Sequence, residues 1–347
     1  MNDKRVTIRD VARRAGVSTG TVSAVINNRP SVRANTREHV LGVMERMGYA
    51  PSSAARRLGG LHSDLDVFEP AIGLVVKELD NPFYTEVMIG ARDELAAAGY
   101  LAFLTSSGGD FSAEGRLIDA ARNRSMSGAI IAPVLHEQVD LSHLFELRRS
   151  GYPFVLLENV PGLQASSVSV DNIQAAQMAA SHLIHSGHER IVHFAGPAYT
   201  QHTRDRITGF ERAFSQSHLR FHPELVVGAG AHFREGYETA VRYFSAAGAE
   251  RPTAVTCFND LVAMGVLKAL AEAGLRVPDD VSVVGFDDIP MAAFFSVPLT
   301  TVSVAKREMG RLAARTLLRQ LAQPGTDPEQ VLMEARLVER RSTRHIS

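Results

Sequence analysis

Residues 7–27, TIRDVARRAGVSTGTVSAVIN, decide how the amino-terminal part of the chain folds. Val11, Ala15, Val17, Val22 and Val25 fall at the apolar spacing that joins two short helices, and Ala12 is small enough to let them cross closely. Gly16 stands at the turn between them, where a left-handed backbone costs least in glycine. Thr7 can cap the first helix and Ser18 the second. The second helix is then free to offer Thr19, Gly20, Ser23 and Ala24 to a major groove.

The charge distribution supports a DNA-facing head. The whole chain carries a formal charge of −1, but residues 1–60 hold eleven Lys/Arg against four Asp/Glu, a net +7 that leaves −8 for the other 287 residues. A basic head on an acidic body suits a head that sits on phosphate and a body that stays off it. A chain of 347 residues should form two or three domains. The single cysteine, Cys257, excludes an internal disulfide framework; it lies in the apolar run AVTCF and is expected to be buried. Without a signal peptide or an apolar run of ~18 residues, the chain is expected to be cytoplasmic and nucleoid-associated, with no membrane partner.

A third helix is expected after residue 34, with Asn35 and Glu38 as a capping box, an apolar side of Val40, Leu41, Val43, Met44 and Met47, and Gly48 at its end. YAPSSAARRLGG, residues 49–60, follows. Its helical stretch, Ser52 to Leu58, is only about two turns long, too short to be stable alone. It reads either as a disordered linker or as a segment that folds on DNA, with Arg56 and Arg57 on phosphates and Leu58 wedged into a minor groove.

From residue 71 the period changes. AIGLVV (71–76), YLAFLTS (100–106), GAIIAP (128–133) and PFVLLE (153–158) read as buried parallel strands. A second series follows: RIVHFAG (190–196), ELVVGAG (224–230), AVTCF (254–258) and SVVGF (282–286). Helices are expected at about 84–98, 113–124, 173–186, 204–216, 236–247, 260–273 and 306–322, and VLMEARLVERRS (331–342) should close the body. The fold class is therefore an all-α helix-turn-helix headpiece plus a two-lobed α/β core of two doubly wound parallel sheets. Such sheets bind ligands beyond the carboxyl ends of their strands. Phe83, Glu158, Arg206, Asn259 and Asp287 sit near those ends. Asp accepts from vicinal hydroxyls, Asn does both, and Arg donates in a fork, a set suited to a polyhydroxylated ligand. Arg206 would equally suit a carboxylate or phosphate, and Asn259 and Asp287 are also favoured helix caps.

These motifs together resemble the lactose-repressor/galactose-repressor family of bacterial transcription regulators over nearly the full length. TIRDVARRAGVS, TVSAVIN, TREHV and the hinge with Ala55 and Leu58 carry the resemblance in the head. NPF (81–83), VDN (170–172), HLIHSGHERI (182–191), AGP (195–197), RITGF (206–210), FND (258–260), VPDDVSVVGFDD (277–288) and PLTTV (298–302) carry it in the body. The resemblance implies a periplasmic-binding-protein-like core, a homodimer and a palindromic double-stranded DNA operator. It implies DNA contacts from Thr7, Ser18, Thr19, Gly20, Thr21, Ser23, Ala24, Asn27, Arg33, Ala55, Arg56 and Leu58. It raises Arg206, Asn259 and Asp287 to effector contacts, with Phe83, Glu158 and either His232 or Phe233 beside them; the effector would be small and polar, a sugar or sugar derivative. The expected domains are 1–50 for the headpiece, 51–70 for hinge helix and linker, and 71–347 for the core. Within the core one lobe takes about 71–170 and 304–333, the other about 171–303 and 334–347.

The chain departs from the family pattern in four places, one of them the segment 228–236, which is one residue shorter than usual and leaves His232 and Phe233 as alternatives. GGLHSDLDVFEPA (59–71) lengthens the linker by about six residues, Glu158 stands where Asp is common, and Val304 stands where Gln is common. No added leucine heptad suggests a tetramer.

No phosphate-binding GxxxxGK[ST] loop or GxSxG elbow occurs. His182, His185, His188 and His193 read as capping and surface groups rather than metal ligands. Neither cofactor nor metal is implied, and the chain is expected not to be an enzyme. A solute-binding protein would fit residues 71–347 alone, but the basic head opposes it. A sugar-modifying enzyme would need a catalytic constellation that is not found.

Overall fold

The computed structural model describes residues 7–26, 32–47, 70–123, 126–135, 140–246 and 251–346. Asn27, Ala55, Arg56, Leu58 and the rest of the hinge and linker lie outside them.

The head holds α1 (Ile8–Ala15), α2 (Thr19–Ile26) and α3 (Ala34–Arg46). Thr7 and Asp10 form a reciprocal capping box on α1, and Gly16 ends it at φ 64°. Ser18 Oγ accepts from the Thr21 amide at 3.0 Å. Val11, Ala12, Ala15, Val22, Val25, Val40, Val43 and Met44 form the small core. Two expectations for α3 are corrected. The helix starts one residue before Asn35, which therefore lies within the first turn and is not its cap. Leu41 is half exposed, since it points away from the face shared by Val40, Val43 and Met44.

The body contains two six-stranded sheets. The first has the order β11-β5-β4-β3-β1-β2, built from β1 (Ala71–Val76), β2 (Leu101–Ser106), β3 (Gly128–Ile131), β4 (Phe154–Leu156), β5 (Ser166–Val170) and β11 (Gln330–Met333). The second has the order β12-β10-β9-β8-β6-β7, built from β6 (Ile191–Ala195), β7 (Val226–Gly228), β8 (Ala254–Cys257), β9 (Ser282–Asp287), β10 (Thr300–Val304) and β12 (Ala335–Val338). Among the described residues all pairings are parallel except the edge pair β10–β12. The connecting helices are α4 (Pro82–Ala97), α5 (Phe111–Asn123), α6 (Ser142–Arg149), α7 (Asn172–His185), α8 (Gln201–Ser215), α9 (Phe233–Ala246), α10 (Asp260–Glu272) and α11 (Lys306–Ala322).

The central strands are apolar on both faces because helices cover both. β2 is different. It was expected to be buried, but it is the sheet edge, and Leu101, Phe103 and Leu104 are each nearly half exposed. β10 (TTVSV) is buried throughout and β5 (SSVSV) over Ser166, Ser167 and Val168, despite their Ser and Thr, so no apolar run announces them. The histidine expectation is also corrected in part: His188 and His193 are buried. His188 bonds Thr253 and the Arg344 carbonyl, and His182 bonds Thr343, so these rings pin the irregular segment after β12 onto the second lobe. Cys257 is buried as expected, and burial pushes its thiol well up.

Glycines let the flanking helices touch. A Cβ on Gly310 of α11 would meet the Val87 carbonyl of α4 at 1.9 Å, and one on Gly90 would meet the Arg307 carbonyl at 2.0 Å. The lobes themselves meet at Phe83 and Val170, which pack against the apolar clusters of both sheets.

Candidate functional site

The carboxyl ends of both sheets face a common cavity of about 630 Å³. Each lobe arms its wall differently.

On the first lobe, Lys77 follows β1 and Glu158 follows β4. Lys77 Nζ donates to Glu158 Oε1 at 2.5 Å. Burial works against the Lys77 ammonium, but Glu158 and Tyr84 more than offset it and hold its pKa above the ordinary value. Burial likewise pushes the Glu158 carboxyl up, against the pull of Lys77. The second Glu158 oxygen faces His202 Nε2 of α8 at 3.3 Å, a contact from the opposite lobe. Burial, then Lys77 and Arg206, keep the His202 pKa well below its usual value, so the ring is neutral near pH 7 and the contact is not an ion pair. Asn81 caps α4 through the Phe83 amide at 3.0 Å, with Pro82 at the first helical position. That turn presents Phe83 and Tyr84 to the cavity, their rings edge to face at 5.3 Å.

The second lobe is built around Arg206 of α8. Its guanidinium lies 3.5 Å from the Phe286 ring centre and 4.6 Å from that of Phe258. Nε donates to Asn172 Oδ1 at 3.0 Å, a terminal nitrogen donates to the Phe258 carbonyl, and the other stands 3.7 Å from Asp287. Burial lowers the Arg206 pKa, and Asp287 opposes that shift. Asn259 caps α10, accepting from the Val262 amide at 2.9 Å and donating to the Ala231 carbonyl at 2.9 Å. One of its two N–H groups remains for the cavity.

Asp287 and Asp288 have positive φ angles of 103° and 55°, costly for non-glycine residues. Three groups hold this turn. Lys306 Nζ, buried at the start of α11, donates to the carbonyls of Asp287, Asp288 and Val304. Arg340 bonds the Asp288 carboxylate at 2.6 Å. Asp260 accepts from the Ile289 amide at 2.8 Å and from Thr301 Oγ1 at 2.6 Å. Asp260 is fully buried, and burial and then Asp287 push its pKa up to about 8. Gly285 makes the room, since a Cβ there would stand 2.1 Å from Asp260 Oδ1. Burial also raises Asp287, to about 6, with Arg206 and then Lys306 pulling it down.

The structure therefore gathers Phe83, Glu158, Arg206, Asn259 and Asp287 around one cavity. His232 does not line the cavity itself; it follows the lining residue Ala231 and stands 3.6 Å from Glu78, a lining residue of the opposite lobe. Phe233 opens α9 with 54% of its surface exposed and does not line the cavity. Lys77, Tyr84, Asn172, His202 and Lys306 were missed from sequence. Lys77 was findable by its place directly after a strand, and Asn172 lies in the quoted VDN. Nothing in the sequence marks His202. Among the described residues no group of three or more metal-ligating side chains occurs, and no helix is long and apolar enough to cross a membrane.

In the head, Thr19, Gly20 and Arg33 are exposed, while Thr21, Ser23 and Ala24 are partly buried. Thr7 and Ser18 serve as caps.

Residues 7–52 match the profile of bacterial regulatory proteins of the lacI family, and residues 180–343 match a periplasmic binding protein-like domain. The HTH-type transcriptional repressor PurR of Aliivibrio fischeri strain MJ11 is 32% identical over 338 residues, 97% of this chain and 98% of that protein. The chain belongs to the lacI family. A structure of a transcriptional regulator CelR–cellobiose complex superposes with a TM-score of 0.70 at 29% identity, covering 97% of this chain and 100% of that one. The lac repressor dimer bound to operator and the anti-inducer ONPF gives 0.72 at 25% identity, covering 98% and 100%. This lacI-family member is thus a ligand-responsive, DNA-binding transcription regulator, of a family that binds rather than transforms its ligands.

Proposed function

We propose that this lacI-family protein is a cytoplasmic repressor that binds a palindromic operator as a homodimer. In this reading a small polar effector, a sugar or sugar derivative, enters the interlobe cavity. The observation that carries it is the conjunction of a capped helix-turn-helix with a two-lobed cleft walled by Lys77–Glu158 on one side and Arg206–Asp287 on the other. The exposed face of α2, with Thr19 and Gly20 foremost, enters the major groove beside Thr7, Ser18, Thr21, Ser23, Ala24, Asn27 and Arg33; Ala55, Arg56 and Leu58 act in the hinge. The effector shifts lobe closure by its differential affinity for the two states, and closure resets the spacing of the two heads.

Dimerisation is supported by an apolar patch on each lobe. The β2 edge exposes Leu101, Phe103 and Leu104, and the turn after β9 exposes Met291 and Phe294, the latter at 87%. A lone protomer would leave both in water.

Selection of genomic fragments by the purified protein at fixed salt tests the reading. Enrichment of a palindrome, with release or tightening by a small sugar, is the expected result. A site without two-fold symmetry would overturn the dimeric operator. A cleft ligand that leaves operator affinity unchanged would overturn the coupling.

A further inference from the structure

Two cations, Lys77 and Arg206, and five carboxylates, Glu78, Glu158, Asp171, Asp205 and Asp287, line the cavity among the described residues. Both cations are already matched: Lys77 to Glu158 and Arg206 to Asp287. The Arg206 fork, the group best suited to a carboxylate or phosphate, also spends donors on Asn172 and the Phe258 carbonyl. The rings of Phe286 and Phe258 also lie against it, at 3.5 and 4.6 Å from ring centre to guanidinium carbon. The neighbouring Lys306 ammonium points its donors at backbone carbonyls. An anion entering here would meet excess negative charge and no unmatched cation, in a setting where burial strengthens every charge interaction.

The hydrogen-bonding capacity that remains is of another kind. Lys77 keeps two N–H donors beyond its bond to Glu158, Asn259 keeps one amide N–H, and Asp287 keeps carboxylate lone pairs. These lie beside the ring faces of Phe83 and Tyr84. Donors and acceptors next to an apolar face match a ring with hydroxyls on its rim.

Resting on the proposed effector reading, we infer that the cleft takes an uncharged polyhydroxylated ligand and rejects its phosphorylated and carboxylated counterparts, because Glu158 and Asp287 act as internal counter-anions that occupy the only two cations of its wall among the described residues.

Inorganic phosphate, titrated against chloride of equal ionic strength, probes this without knowledge of the effector. Thermal unfolding of the full chain is followed for the wild type, Asp287→Asn and Glu158→Gln. The α/β core transition of the wild type should show no phosphate-specific stabilisation, whatever phosphate does to the basic head. At least one variant, with its cation released, should bind phosphate roughly tenfold more tightly than the wild type does. Using two variants guards against one failing to fold. Stabilisation of the wild type by phosphate, lost in Arg206→Met, would overturn the inference. So would two folded variants that gain nothing. Neither result depends on operator release by a sugar, so a failure of the effector reading would be seen separately.

Discussion

The two lobes share one strand order, apart from the direction of the last edge strand, and differ in what they do with it. Their strand orders, 11-5-4-3-1-2 and 12-10-9-8-6-7, are the same pattern repeated. Yet the first lobe presents a simple Lys77–Glu158 pair, while the second presents a network of Arg206, Asn172, Asp287, Asp260 and Lys306 around a turn with two positive φ angles. A repeated scaffold fixes where strand ends point, and the residues placed there decide what each wall can do. Strain and buried charge are concentrated in one wall, so substitutions should weigh unequally on the two.

The largest effect is expected at Arg206. Arg206→Met removes the effector response and leaves Asp287 buried without its guanidinium, at a cost of ~3–5 kcal/mol. Adding Asp287→Asn should recover part of that loss. Lys77→Met should cost less, because Glu158 keeps His202 as a partner and already sits at a raised pKa. Urea unfolding of the three variants checks the order, and equal losses at Arg206 and Lys77 would erase the asymmetry between the walls.

Next comes the packing that the lobes do not differ in. Gly310→Ala places a methyl group where the Val87 carbonyl stands, so α4 and α11 must separate, for ~1–3 kcal/mol. On the other lobe, a Cβ on Gly265 of α10 would meet the Phe233 carbonyl at 2.1 Å, and Gly265→Ala should cost a similar amount. A neutral result at either position would show that helix contact is looser in that lobe.

Much of this was legible in the chain. Gly16, Thr7 and Ser18 mark the head because turn and cap chemistry are local. The βα alternation was readable wherever strands are runs of Val, Ile and Leu. β5 and β10 escaped because their buried positions hold Ser and Thr, whose partners are far away in the chain: Ser166 Oγ accepts from Gln320 and the Glu329 amide, and Thr300 Oγ1 bonds Thr343. β2 was misread because an edge strand can be as apolar as a central one when another surface is to cover it. At the site, Arg206, Asn259 and Asp287 stood out by residue type and strand-end position. The Lys306 clamp did not, since a lysine at a helix start says nothing about carbonyls on another lobe.

A pH experiment sharpens the contrast further. The Asp260 pKa is raised to about 8 in the folded state, from an ordinary value of 3.8. The folded state thus holds a proton that the unfolded chain releases. The stability this confers is complete below about pH 4 and is lost as pH rises toward 8, by at most ~1.4 kcal/mol per pH unit. Asp260→Asn keeps the acceptor for Thr301 and cannot ionise. Its stability relative to the wild type should rise between pH 5 and pH 9, as read from urea midpoints. A constant difference across that window would mean that Asp260 is ionised throughout.

The smallest effect separates head from body. Thr7 and Asp10 satisfy each other's backbone donors at the start of α1, in a domain whose buried core among the described residues is only eight side chains. Thr7→Ala should cost ~1 kcal/mol. In the large body such a loss would be minor, but in the head it is a considerable part of what holds three short helices together. Operator affinity should therefore fall, while the thermal transition of the α/β core and any effector affinity stay unchanged. Were the core transition to move as well, head and body would be unfolding as one cooperative unit, and the two could no longer be argued as separate regions.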